Sequence, residues 1–256
     1  MVHFVGAGPG APDLITVRGK ELLEEADIII YAGSLVNPAL LTYAKKGAKI
    51  YNSATMTLEE VIEVMEQNRT KEIVRLHTGD PCLYGAVREQ MDRLDKLGIP
   101  YASVPGVSSF IGAAAAISAE FTLPGVSQTL ILTRMAGRTP VPTKEDIASL
   151  ASHQASMVIF LSTSMLDDLS ARLIEGGYKK DSPAAIVYKA TWPDQKVIFT
   201  TVENLAPDAR EHGIDHMALI MVGGFLGDDY HRSKLYDPSF TTMYRKASEA
   251  GRGEDA

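Results

Sequence analysis

The sequence predicts an α/β protein of two α/β domains, an N-terminal one on a mostly parallel sheet and a C-terminal one on a mixed or antiparallel sheet. Three observations predict it. Short β-branched or aromatic runs alternate with segments of helical apolar spacing through the first half of the chain. Glycine-containing turns follow three of those runs. In the second half, two strand-like runs stand too close together for a helix to join them.

In order, 2–5, 28–32, 48–51, 72–77 and 100–104 read as strands, and the segments around 15–25, 36–45, 57–68 and 84–97 carry apolar residues at helical spacing. Strand and helix in alternation imply parallel strands covered by helices. An Ala-rich helix, Phe110 to Ser118, follows Pro105-Gly106, and Leu123-Pro124-Gly125 then breaks the chain, which sets a domain boundary near residue 120. Beyond it, 128–134, 156–162, 184–189, 196–202 and 216–222 read as strands. Only Ala190 to Gln195 separates the third of these from the fourth, so they form a hairpin and the second sheet is mixed or largely antiparallel. The domains expected are 1–120 and 121–246, with a polar, loosely held tail at 247–256.

With 256 residues, 45% of them hydrophobic and 22% charged, the chain has the apolar content for one large or two small cores. Its 25 Lys and Arg against 32 Asp and Glu leave a net charge of −7, which argues against broad nucleic-acid or anionic-membrane binding while allowing a local basic cleft. No apolar stretch approaches the roughly 20 residues that span a bilayer, and no secretory leader pattern precedes the first strand. The single cysteine, Cys82, excludes an internal disulfide and a cysteine-rich metal site. A cytoplasmic protein is the expectation.

The strand Val2 to Val5 runs into Gly6-Ala7-Gly8-Pro9-Gly10, where missing side chains let a ligand approach the backbone. Alone, this turn suits a nucleotide-like ligand or simply a tight strand-to-helix connection. A dinucleotide fold needs G-x-G-x-x-G and an acidic residue ending the second strand; here the third glycine comes one position early, Pro9 lacks an amide donor, and the second strand ends Tyr31-Ala32-Gly33-Ser34. A P-loop fails because no Gly-Lys-Ser/Thr follows. Two companions, Thr78-Gly79-Asp80-Pro81 after the fourth strand and Val104-Pro105-Gly106-Val107-Ser108-Ser109 after the fifth, would lie at the same carboxyl edge, where open α/β sheets bind ligands. Three such turns point to a ligand more strongly than one.

Together these turns resemble those of the tetrapyrrole methylase family, the class III S-adenosylmethionine-dependent methyltransferases, and the likeness spans nearly the whole chain. The resemblance implies two α/β domains with S-adenosylmethionine bound in a cleft between them, S-adenosylhomocysteine as product, and a homodimer. Tyr31-Ala32-Gly33-Ser34-Leu35-Val36-Asn37, Thr133 to Pro142, Tyr188-Lys189-Ala190-Thr191-Trp192-Pro193 and Ser233-Lys234-Leu235-Tyr236 are similar to members that methylate C11 of precorrin-4 or cobalt-precorrin-4 in cobalamin biosynthesis. The alternatives are a sibling methylase acting at another ring carbon, a nucleotide-dependent oxidoreductase, and a noncatalytic binding protein of the same fold.

Carried over by position, the family's cofactor contacts fall on Pro9, Thr78, Gly79, Asp80, Leu83, Ser108, Ser109, Leu161 and Ala190. Members that methylate uroporphyrinogen have a candidate catalytic aspartate after the second strand; Ala32-Gly33 stands there instead, so no catalytic base is assigned. No metal is required, because the sulfonium already activates the methyl group and the enzyme's part is alignment and exclusion of water. The acetate and propionate arms of a tetrapyrrole call for basic groups, and Arg88, Arg134, Arg138 and Lys189 are the candidates, each of which could equally be a solvated or internally paired residue.

Five more residues are weighed. His212 and His216 have a ligand spacing only on a helix, which Gly213 and the strand near His216 oppose. His77 either lines the pocket or is satisfied within the sheet. Cys82 is expected to pack, and Trp192 either covers the macrocycle or packs at the hairpin turn.

Overall fold

The computed structural model describes residues 1–33 and 35–248; Ser34 and most of the expected tail at 247–256 lie outside the described residues. The chain divides into two compact units, Met1–Ile117 with Tyr188–Lys196, and Ser118–Val187 with Val197–Ala256.

The first unit holds a five-stranded sheet of β1 (Val2–Gly6), β2 (Ile28–Tyr31), β3 (Lys49–Asn52), β4 (Ile73–His77) and β5 (Tyr101–Val104), in the order β3-β2-β4-β1-β5. Its pairings are parallel, with Gly6 opposite His77 and Val5 opposite Val104, so the carboxyl ends of β4, β1 and β5 finish flush. Both faces are covered, as parallel sheets require. Val2, Phe4, Ile28, Ile30 and Ile73 pack beneath α2 (Leu58–Gln67) and α3 (Arg88–Leu97). Val5, Ile29, Val74, Leu76 and Val104 pack with Leu23 of α1 (Val17–Glu25) and with Val36 and Leu40. Alternation along each strand deals its apolar residues to both layers.

Helix starts follow local chemistry. Thr16 caps α1 by accepting from the Gly19 amide, and Thr57 with Glu60 forms a full capping box on α2. Two expected helices differ. The 36–45 segment forms only a 3-10 helix, Pro38–Tyr43, which Pro38 starts and the Asn37 side chain caps by accepting from the Ala39 amide. The 84–97 helix begins only at Arg88, since Tyr84 and Ala86 take φ of 57° and 48°, outside the helical region. The Ala-rich helix, α4, runs Ser109–Ala116.

The second unit holds β6 (Leu130–Arg134), β7 (Ser156–Phe160), β8 (Pro183–Tyr188), β9 (Lys196–Thr201) and β10 (Ala218–Val222), in the order β6-β7-β10-β8-β9. β6 lies parallel to β7, and β10 antiparallel to it. The Val202 amide donates to the Ser182 carbonyl, closing β8 and β9 as the expected hairpin. The sheet is mixed. Three helices accompany it, α5 (Ile147–Ala151), α6 (Leu166–Glu175) and α7 (Leu205–Glu211). No helix among the described residues is long and apolar enough to cross a membrane.

Candidate active site

The three glycine turns leave β1, β4 and β5, which are neighbours in the sheet, and they close on one another backbone to backbone. Gly8 and Gly79 exchange hydrogen bonds, the Gly79 amide to the Gly8 carbonyl at 2.9 Å and the Gly8 amide to the Gly79 carbonyl at 3.3 Å. A Cβ on Gly6 would stand 2.5 Å from the Gly106 Cα and 2.6 Å from the Gly79 oxygen. One on Gly106 would meet the Gly6 Cα at 2.7 Å and the Gly79 oxygen closer still. Real Cβ atoms do not approach so near, so glycine here is a packing requirement.

Asp80 fastens the second turn to the third. Its Oδ2 accepts from the Gly106 amide and its Oδ1 from the Cys82 amide, each at 2.8 Å. Burial alone would raise this carboxyl, but hydrogen bonds from the Cys82 thiol, the Cys82 amide and the Gly106 amide outweigh it and hold Asp80 below the usual carboxylate range. The same thiol, donating to Asp80, is harder to ionise than usual. Cys82 is exposed, so the packing role expected from the sequence is replaced by a hydrogen-bonding one.

The first turn is pinned from far along the chain. Trp192 donates from Nε1 to the Pro9 carbonyl at 3.2 Å, Thr191 accepts at Oγ1 from the Ala11 amide at 3.0 Å, and Asn37 donates to the Gly10 carbonyl at 2.9 Å. The Trp192 ring lies against Gly10, leaving no room for a side chain there. These bonds explain why Tyr188–Lys196 groups with the first unit. Sequence reasoning assigned no anchoring role to Thr191, Trp192 or Asn37, since contacts across 27 to 183 residues leave no local pattern.

Several predicted cofactor contacts therefore come together in one unit. Pro9, Gly79 and Asp80 form the turns; Ser108 and Ser109 open α4; Gly112 of that helix backs onto the Pro9 ring; and buried Ala190 lies by Gly10. Thr78 and Leu83 line a cavity of about 270 Å³ beside the turns, with Ala32, Met56, Arg75 and His77 among its walls. Leu161 belongs to the second unit, where it follows β7 at φ 52° with 63% of its surface exposed. The four basic candidates part company. Arg88, exposed at the start of α3, pairs with Asp92 at 2.7 Å; Lys189 pairs with Asp194 at 2.6 Å and lies over the Tyr188 and Trp192 rings. Arg134, at the end of β6, donates to the carbonyls of Met135, Thr139 and Pro140. Arg138 is exposed with no hydrogen bond or ion pair among the described residues.

His77 is not satisfied within the sheet. It is 5% exposed, and its Nε2 is buried with no hydrogen-bond partner among the described residues. Burial, with the Arg75 charge adding to it, pushes the imidazole down to about 3. His212 bonds the Asp208 carbonyl and His216 pairs with Asp215.

The known proteins this chain is similar to include methylases. The chain matches the family described as Tetrapyrrole (Corrin/Porphyrin) Methylases over residues 1–206. It is 54% identical to a cobalt-precorrin-4 C(11)-methyltransferase of Methanocaldococcus jannaschii, with 96% of each chain covered. Its structure resembles that of the cobalamin biosynthetic enzyme cobalt precorrin-4 methyltransferase, CbiF, at 45% identity and a TM-score of 0.86, covering 89% of this chain and 96% of that one. It also resembles the Thermus thermophilus uroporphyrin-III C-methyltransferase solved with S-adenosyl homocysteine, at 25% identity and a TM-score of 0.73, covering 88% and 92%. By its family match and its identity over nearly its whole length, the chain belongs to the tetrapyrrole (corrin/porphyrin) methylases.

Proposed function

We infer that this protein transfers a methyl group from S-adenosylmethionine to C11 of precorrin-4 or cobalt-precorrin-4, a step of cobalamin biosynthesis. The observation that carries the reading is the end-to-end identity with the Methanocaldococcus jannaschii enzyme, supported by the likeness to CbiF.

The residues present suit the cofactor. The walls at Gly79, Ser108, Ser109 and Ala190 are backbone and small side chains, which admit a flat, nucleoside-like ligand close to the main chain. Pro9, Thr78, Gly79, Asp80, Leu83, Ser108, Ser109 and Ala190 would hold it. When bound, it supplies a methyl group already activated by the sulfonium. The protein's share is then to fix the walls: Asp80 ties two turns together, and Thr191 and Trp192 tie the third, so that reacting atoms about 3–3.5 Å apart stay aligned. Of the basic candidates for the tetrapyrrole carboxylates, Arg138 is the one whose charged group is not already engaged among the described residues. Arg138→Ala should raise the KM for the tetrapyrrole severalfold and leave S-adenosylhomocysteine binding unchanged; an unchanged KM removes Arg138 from the substrate site.

The reading includes a cytoplasmic homodimer. Exposed Leu235, Tyr236, Met243 and Tyr244 offer apolar area that a second copy could cover, and sedimentation at twice the 27.7 kDa chain mass is the expected result. The activity itself is tested by mass spectrometry of reactions with metal-free and cobalt-loaded precorrin-4 side by side. One methyl added at C11 is expected with at least one of them. Cofactor binding without transfer to either would end the proposal.

A further inference from the structure

Strand β4 places Ile73, Arg75 and His77 on one face of the sheet, the face that Phe4 and Ile30 share beneath α2 and α3. Apolar packing would continue that layer, yet its last two positions on β4 are a cation and an imidazole. Arg75 is only 6% exposed. Its Nε donates to Gln90 Oε1 at 3.0 Å and its Nη1 to the Ile30 carbonyl at 3.2 Å, and Nη2 has no partner among the described residues. Among the described residues no carboxylate pairs with it. Glu89, the acidic residue of the cavity wall, is exposed and not bonded to Arg75. Burial draws the guanidinium down to about 10, which leaves it charged at neutral pH.

A buried cation without a counter-ion is costly unless something of opposite charge reaches it. The cavity of about 270 Å³ gives access, and Thr78, whose hydroxyl bonds to nothing among the described residues, lines it with Arg75 and His77. We propose that this cavity is a carboxylate subsite, in which Arg75 supplies the charge and His77 and Thr78 supply hydrogen bonds to one carboxylate of a bound ligand. This rests on the methylase reading, which offers two sources of the group: an acetate or propionate arm of the tetrapyrrole, or the methionyl carboxylate of the cofactor. A guanidinium with Nη2 unengaged is suited to either.

The test is nuclear magnetic resonance of the full chain labelled at its histidine and arginine side chains, with the His77 signal assigned from His77→Gln. Sodium propionate should move the His77 ring and Arg75 Nε signals saturably at neutral pH, while propionamide, its uncharged counterpart, should not. The titratable groups that line the cavity with His77 are Arg75 on its own strand, Tyr84 and Glu89; a carboxylate added among them should also lift the His77 titration by about one pH unit, a tenfold change in proton affinity. Arg75→Lys should bind propionate about tenfold more weakly. S-adenosylhomocysteine separates the sources: if it leaves both signals in place, the group is a ring arm, and if it moves them and displaces propionate, the group is the cofactor's. No movement with propionate, together with none when calorimetry shows S-adenosylhomocysteine bound, overturns the proposal. The wild-type arms need no variant to fold, and they read the subsite independently of the methyl-transfer assay, so either inference can fail alone.

Discussion

Two neighbouring regions of the first unit are specified in opposite ways. At the glycine turns the walls are main chain, and what matters is the absence of side chains: Gly6 and Gly106 pack against each other and against the Gly79 carbonyl, and a carbon added to either has nowhere to go. At the end of β4 the side chains themselves matter, because Arg75 and His77 are buried with hydrogen-bonding capacity unused. A site of the first kind fails by steric displacement. One of the second kind trades stability for a group that can meet a ligand.

The largest effect should come from forcing an atom into the turns. Gly106→Ala pushes a methyl group onto Gly6 and Gly79, and as overpacking against main chain it should cost about 1–3 kcal/mol or more and weaken S-adenosylhomocysteine binding at least tenfold, measured by denaturant melts and calorimetry. Normal melting and normal binding would show that the turns can separate freely. Asp80→Asn comes next, removing one acceptor from the exposed Cys82 amide or the partly buried Gly106 amide, at a cost of about 1 kcal/mol.

Acid separates the two regions further. The His77 pKa is depressed from 6.5 to about 3, so the unfolded chain binds the extra proton first, and stability should fall as pH drops from 6.5 towards 3. Asp80 is also depressed, but from 3.8; its contribution is present above that value and lost as pH falls below it. His77→Gln should therefore flatten the stability profile between pH 6.5 and 4, whereas Asp80→Asn should flatten only the part below about 4. Identical profiles for the two variants would mean that the regions titrate as one. A comparable effect is expected from Thr191→Val, which leaves the Ala11 amide without its acceptor at about 1 kcal/mol and loosens the first turn alone. The smallest is Arg88→Ala, whose solvent-screened pair with Asp92 should leave the melting of the fold unchanged; a clear rise in KM without a change in melting would place Arg88 at the substrate.

Much of the glycine region was legible from residues alone. Strand, turn and spacing are local properties, so three glycine turns at the same edge of a parallel sheet could be read before any contact was known. The polar end of β4 was half legible: Arg75-Leu76-His77 stood in view beside the second turn, but an orphaned nitrogen is a statement about everything that surrounds it. Arg134 and Lys189 illustrate the same limit. Their segments carried the family likeness, yet only folding shows the Arg134 guanidinium taken up by three carbonyls and the Lys189 ammonium by Asp194.

By itself the sequence determined the two sheets, their parallel and mixed character, the glycine turns and the family, because these follow from periodicity, connection length and the conformational freedom of glycine. Only the tertiary structure decided that Thr191 and Trp192 anchor the first turn, that Asp80 clasps the other two, and that Arg75 and His77 are buried without an acid between them. Those facts depend on which distant groups arrive at one place, and burial and pairing acquire values only once they have.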